Sequence, residues 1–252
     1  MRTAADPKRT QTLLELAALD AAVMLKRRKQ LLRTRTIEGA RMGHRLAHRN
    51  AAGNISAFAR DFIEARLAGF EKDLTICLTP TPSLTRRGNT HAYFPALGAC
   101  FGFLEYVTGL FRGNINGIGW RQIADWTDRF LPQPDYGRDM VRVFFDAFRH
   151  SVAHRGIATG IWIDRSTAPR ARVTWRVLAD ARRPACRLVA EAGVLKSDPP
   201  WPCPYTHRMH IHLRALRTDL RKGVLSYAGA IGTEPHLQRN FETCMRQLYP
   251  LG

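Results

Sequence analysis

At 252 residues and 45% hydrophobic content the chain is long enough to bury a full core and falls in the ordinary globular class. Its five cysteines (Cys77, Cys100, Cys186, Cys203, Cys244) are odd in number and never spaced as CxxC, which excludes a disulfide framework and predicts reduced thiols in a cytoplasmic protein. The net charge of +18 is unevenly spread: residues 1–52 carry 12 basic and 4 acidic side chains and residues 157–252 carry 15 and 7, so each flank has a surplus of +8, while 53–156 is close to neutral with 12 and 10. Basic flanks of this kind attract a polyanion, and RNA is the partner they predict. Against this stands a general enrichment in arginine, which supplies 33 of the 39 cations.

Residues 9–33 read as a helix with a broad apolar face and a basic end, Lys26, Arg27, Arg28 and Lys29. That cluster serves either as a complement to the helix dipole or as an arm for RNA phosphates. Glu15 and Asp20 interrupt the apolar run from Leu13 to Leu25, so no signal peptide is read there, and no stretch is read as long and apolar enough to span a membrane. His44 and His48 are read as surface residues, because no further ligand is adjacent.

Asn54 is the expected cap of a helix running to about Leu78, with Ile55, Phe58, Phe62, Ile63, Leu67, Phe70 and Leu74 inward and Gly69 as a place for close helix contact. A Pro/Gly-containing loop over 79–90 leads to a helix over 94–112 with a seam of Leu97, Cys100, Phe101, Leu104, Val107 and Phe111. Glu105 lies off that seam and reads as a solvated residue in preference to part of a site. The glycine-rich link RGNINGIGW (112–120) fits neither phosphate-loop pattern and reads as a turn. A short helix over 118–131 follows, closed by Pro132 and Pro134.

After Gly156 the period shortens. IATGIWID (157–164), ARVTWRVL (171–178), CRLVAEAG (186–193) and MHIHL (209–213) read as strands, and 213–231 and 234–248 as helices. The tract Cys203, His207, His210, His212 contains zinc-ligand types, but its spacing fits no standard finger, and a half-exposed strand is the preferred reading. No Ser-His-Asp order, paired carboxylates or nucleophilic cysteine stands out, and neither metal nor cofactor is expected.

The chemistry concentrates in GRDMVRVFFDAFRHSVAHRG (137–156). Val141, Phe144, Phe145, Phe148 and Val152 form an apolar stripe, and at about 100° per residue Asp139, Arg142, Asp146, Arg149, His150 and His154 fall opposite it. Gly156 and Gly160 predict a helix end just after His154. Arg149-x4-His154, with the polar His150 directly after the arginine, resembles the motif of the HEPN superfamily (higher eukaryotes and prokaryotes nucleotide-binding domain). The stretch ACFGFLEYVTGLFRG upstream resembles the long helix that precedes the motif helix in such domains. Arg86-x4-His91 and Arg41-x6-His48 also match the spacing, but they lie in a loop-like and a poorly patterned stretch.

The element pattern predicts a mainly α, α+β fold, with 1–52 as a basic helical extension and 157–252 as a small antiparallel sheet plus C-terminal helices packing on a bundle, and the resemblance implies that this bundle, over 53–156, is a HEPN-like antiparallel four-helix bundle. It further implies a metal-independent endoribonuclease of defence or toxin type, acting as a homodimer and paired with an antitoxin or regulatory protein. His154 is then the candidate acid or base, Arg149 the phosphate clamp, His150 the second proton carrier or a substrate contact, and Asp146 the group that orients it. Lys26, Arg27, Arg28, Lys29 and Arg155 would bind nucleic acid. The alternative is a non-catalytic HEPN-like module for dimerisation or for binding nucleotides or nucleic acid.

Overall fold

Apolar side chains recur every three to four residues along most of the chain, and a mainly helical architecture follows from that spacing. The computed structural model describes residues 55–80, 92–149, 160–195 and 201–250. The 9–33 helix with Lys26, Arg27, Arg28 and Lys29, the cap at Asn54, His44, His48, the Arg86-x4-His91 match, and His150, His154 and Arg155 lie outside these residues. The elements in order are α1 (Ile55–Leu78), α2 (Tyr93–Arg112), α3 (Trp120–Phe130), α4 (Arg138–Phe144) and a π-helical turn (Phe145–Arg149). Then come β1 (Trp162–Ile163), β2 (Arg172–Leu178), β3 (Cys186–Leu195), β4 (Cys203–His212), α5 (Leu213–Thr233) and α6 (Pro235–Leu248).

α1 buries Phe58, Phe62, Ile63, Leu67, Phe70 and Leu74, the stripe expected of it, chiefly against α5 and then α2. α2 is the central helix and touches α1, α3, α5 and α6. Being covered on several sides, it buries Phe103, Thr108 and Leu110 as well as Leu97, Cys100, Phe101, Leu104 and Val107 of its expected seam, while Phe111 at its end is half-buried. That position explains a departure from the sequence reading: α2 is long and apolar enough to cross a membrane by length and composition, yet more than half of it is packed inside the bundle. Gly113 closes α2 at φ +75°, and Asn240 of α6 packs against it, its Nδ2 donating to the Phe111 carbonyl at 2.8 Å. α5 and α6 complete this core: Phe241 packs on Phe58 and Phe62, and Tyr227 on Phe111 and Phe130.

The four strands lie in the order β1-β2-β4-β3. β3 passes over the position beside β2 and takes the edge, and β4 returns antiparallel to it into the gap, so β4 runs parallel to β2. The sheet is therefore mixed, not antiparallel as the alternation suggested, because a period-2 pattern fixes faces and not neighbours. β4 also starts six residues before the expected MHIHL, its YTHRMHIH alternation continuing back through Tyr205 to Cys203. Val173, Val177, Cys186, Met209 and Ile211 are buried on the inner face. There Trp175 meets Phe148 of the π turn edge-on at 6.0 Å, and Phe94 at 5.4 Å.

Gly69 is exposed, with nothing within 4 Å of a Cβ placed there, so it is not the close helix contact the sequence suggested. That contact is at Gly223 of α5, where a Cβ would meet Leu131 Cδ2 at 2.6 Å and the Phe130 carbonyl oxygen at 2.9 Å. Backbone cannot retreat as a side-chain tip can. Gly223→Ala should lower stability by about 1–3 kcal/mol through overpacking, and Gly69→Ala should raise it by about 0.5–1 kcal/mol as an open helical glycine. Urea denaturation of the two variants beside the parent reads both signs; a stabilised Gly223→Ala would contradict this packing.

Arg142 of α4 reaches Asp164, just after β1, through both terminal guanidinium nitrogens, Nη2 at 2.8 Å and Nη1 at 3.2 Å. Asp164 is only 4% exposed and also accepts from the Ser166 amide (2.9 Å) and hydroxyl (2.6 Å), which fixes the turn into β2. The Arg142 hydrogen bonds outweigh burial and hold its carboxyl at about 2. A depressed carboxyl contributes stability above its unfolded value of about 4 and loses it as pH falls through the folded value. Asp164→Asn should therefore cost about 2 kcal/mol at pH 7, with the gap to the parent closing between about pH 4 and pH 2. A constant gap in chemical melts across that window would show that the carboxylate charge is not what stabilises.

Candidate functional site

The motif helix departs from a regular α-helix at the end that carries Arg149. α4 runs only to Phe144, and the π turn carries Phe145 to Arg149. A π turn closes hydrogen bonds one residue later than an α turn, so side chains after Phe145 leave the 100° phase from which the polar ring was drawn. Ala147 and Phe148 stay buried, and Phe148 remains the anchor onto the sheet. Of the ring, Arg142 is committed to Asp164, and Asp146 is half-buried and engaged in an interaction of its own. Arg142 and Asp146 are thus tied to other groups, while Asp139 of the same ring is exposed.

Arg149 lies over the Phe145 ring at 5.2 Å, and both Nε and Nη2 donate to Glu105 of α2, the second contact at 3.3 Å. The side chains are 28% and 24% exposed, so the pair is accessible without being fully solvated. Glu105 is thus not the solvated residue preferred from its place off the α2 seam. A residue off the apolar seam is also the one free to meet a cation from a neighbouring helix, and one sequence does not say which helix lies there. The pair opens into a cleft of about 410 Å³ bordered by Tyr106, Leu248 and the link residues Ile115 to Ile118. The glycine-rich link forms the turn between α2 and α3, with Gly117 at φ +67° where only glycine is unstrained. It borders the cleft through Ile115, Asn116, Gly117 and Ile118.

The arrangement offers a forked cation and a carboxylate side by side in an open cleft. Such a pair can hold a phosphoryl oxygen and exchange a proton. Of the expected catalytic group, Arg149 and Asp146 stand within the described residues and Arg149 borders the cleft. His150 and His154 follow Arg149 in sequence and lie outside the described residues.

The cysteines are all unpaired, and burial pushes the Cys100 thiol up to about 12 and that of Cys244 to about 11, so these two behave as core side chains. Strand alternation divides the Cys-His tract: His210 and His212 share the outer face, with rings 6.5 Å apart, while Cys203 and His207 fall on the other parity of β4. Among the described residues no three His, Cys, Asp or Glu side chains are grouped to hold a metal ion. His212 instead pairs through Nδ1 with Asp180.

Comparison with protein-family models, with curated proteins and with solved structures finds no match. The site has to be read from its own chemistry.

Proposed function

We propose that the chain is a metal-independent endoribonuclease of HEPN type, acting on RNA as a homodimer. The observation that carries this is the Arg149–Glu105 pair in an open cleft, at the end of the helix where the Arg149-x4-His154 motif begins. In the reaction the RNA 2′-oxygen forms a bond to phosphorus, the bond to the 5′-oxygen of the next nucleotide breaks, and no electrons are exchanged with the protein. A base removes the 2′ proton and an acid returns one to the leaving oxygen. Arg149 would steady the charge on the phosphorane oxygens. His154 and either Glu105 or His150 would be the two proton carriers, with Asp146 orienting His150. A second copy would bring its own motif to the same cleft, as HEPN-type chains pair. An antitoxin or regulatory partner would then be needed to restrain the activity.

The same ion pair favours the second reading, a non-catalytic HEPN-like module. Glu105 already neutralises the Arg149 fork, which is what a purely structural tie between α2 and the π turn would do. One experiment separates the two. Purified parent, His154→Ala, Arg149→Ala and Glu105→Gln are incubated with total RNA in EDTA, and RNA decay is followed beside thermal melts. The parent should degrade RNA; His154→Ala should be at least about 100-fold slower, and Glu105→Gln should lose activity without a matching loss in melting temperature. Decay that EDTA abolishes, or that continues at the parent's rate in His154→Ala, contradicts the ribonuclease reading, and intact RNA throughout leaves the binding module. Light scattering should give a particle of two chains.

A further inference from the structure

The outer face of the sheet holds a second feature that the motif does not explain. In register across three strands, Arg176 of β2 lies beside His210 of β4, which lies beside Arg187 of β3. Neighbouring strands are about 4.8 Å apart, so the two arginines stand about 10 Å apart at the backbone, with an imidazole between them. Both are exposed, and neither has a carboxylate partner among the described residues. They border a cavity of about 350 Å³ lined by four arginines (176, 182, 183 and 187) against one carboxylate, Asp180. Arg183 is engaged by the buried Asp219, and Asp180 is shared between His212 and Arg182, so Arg176 and Arg187 are the uncommitted cations.

Side chains around His210 give the same picture. Burial pushes its imidazole down, Glu191 at 3.7 Å pulls it partly back, and Arg208 and Arg176 add to the downward push. Beyond the cavity, the exposed Arg214 holds its guanidinium against the Ala179 carbonyl at 2.7 Å, extending the cationic rim along the loop after β2. Unpaired cations held side by side on a rigid sheet are costly to keep together by mutual repulsion, and an anion relieves that cost.

We propose that this face is a phosphate-binding surface for single-stranded RNA, with Arg176 and Arg187 gripping one phosphate across His210 and Arg182 and Arg214 meeting its neighbours. A polymer fits better than a free nucleotide because the cations continue past the cavity and residues 157–252 carry a surplus of +8. The inference deepens the reading of the chain as an RNA-acting protein, and it does not require that the Arg149 cleft cleaves.

The test is fluorescence anisotropy of a labelled oligouridine titrated with the full chain in EDTA, on a His154→Ala background so that the probe stays intact. Arg176→Glu with Arg187→Glu should weaken binding at least about tenfold and reduce the slope of log K against log salt by about 0.7, the share of the one phosphate no longer neutralised. Arg60→Glu with Arg121→Glu, two exposed arginines on α1 and α3, makes the same charge change and should weaken binding far less. Equal losses in the two pairs, or RNA binding unchanged in the first, would overturn the sheet site. Uridine monophosphate titrated by calorimetry is the second arm: binding that depends on Arg176 and Arg187 while the oligouridine does not bind would assign the site to free nucleotides and overturn the RNA assignment. RNA decay by the histidine-intact chain is scored separately, so failure of the ribonuclease reading leaves these outcomes distinct.

Discussion

The fold turns on one buried carboxylate. Asp219 of α5 has a side chain only 2% exposed, deep enough that its charge is intolerable without compensation. Compensation comes from two directions. Tyr136, just before α4, donates its hydroxyl at 2.9 Å, and Arg183, in the loop between β2 and β3, closes on both carboxylate oxygens, one at 2.6 Å. Burial pushes the Tyr136 phenol well up, so it remains a donor at any ordinary pH. A single acid on a bundle helix therefore fixes both the entry to the motif helix and the loop that frames the sheet cavity. Once Asp219 is placed, neither segment can shift without leaving a buried charge unmatched.

Two further ion pairs extend the same logic outward, with decreasing burial. Arg142 with Asp164 ties α4 to the β1–β2 turn, and Arg149 with Glu105 ties the π turn to α2. Partners at 18% and 5% exposure keep most of their Coulomb energy, while those at 28% and 24% are more screened and easier to part. The graded exposure has a chemical consequence. An arginine locked to a buried acid serves architecture, whereas one held by a half-exposed acid can exchange its partner for a phosphate at modest cost.

The parts of this arrangement that were legible in the sequence are those set by one-dimensional period. Phe58, Phe62, Ile63, Leu67, Phe70 and Leu74 announce α1, and Arg172 to Leu178 announces β2, because burial of one face repeats at a fixed step. What escaped reading depends on which elements become neighbours. Glu105 differs from a solvated glutamate only by the arginine brought to it from 44 residues away. The parallel pairing of β2 with β4 depends on β3 taking the edge. The close contact went to Gly223 and not Gly69, since a glycine in a helical pattern does not declare what stands opposite it. The π turn lay hidden for a different reason: Phe145 and Phe148 suit an α stripe and a π turn equally, and the choice is made by where Glu105 and Trp175 wait. The outer-face arginines were within reach, since the alternation of ARVTWRVL already puts Arg172, Thr174 and Arg176 on one side.

Most of the arginines described above are consumed inside the chain, and the few left over are the informative ones. Arg149, already faced by a carboxylate, gains little by binding a ground-state phosphodiester, because it must surrender Glu105 to do so. It gains more as charge builds on a phosphorane, where a forked cation is worth most. Arg176 and Arg187 surrender nothing, so they suit a polyanion held with equal strength before and during reaction. On the functional reading proposed above, the two sites divide labour along that line: the sheet supplies uniform affinity for RNA, which sets how much is bound, and the cleft supplies the differential affinity that sets how fast it is cut. An arrangement with the roles exchanged would put an unpaired cation at the reacting phosphate, where it would stabilise bound substrate as much as the transition state and leave the barrier unchanged.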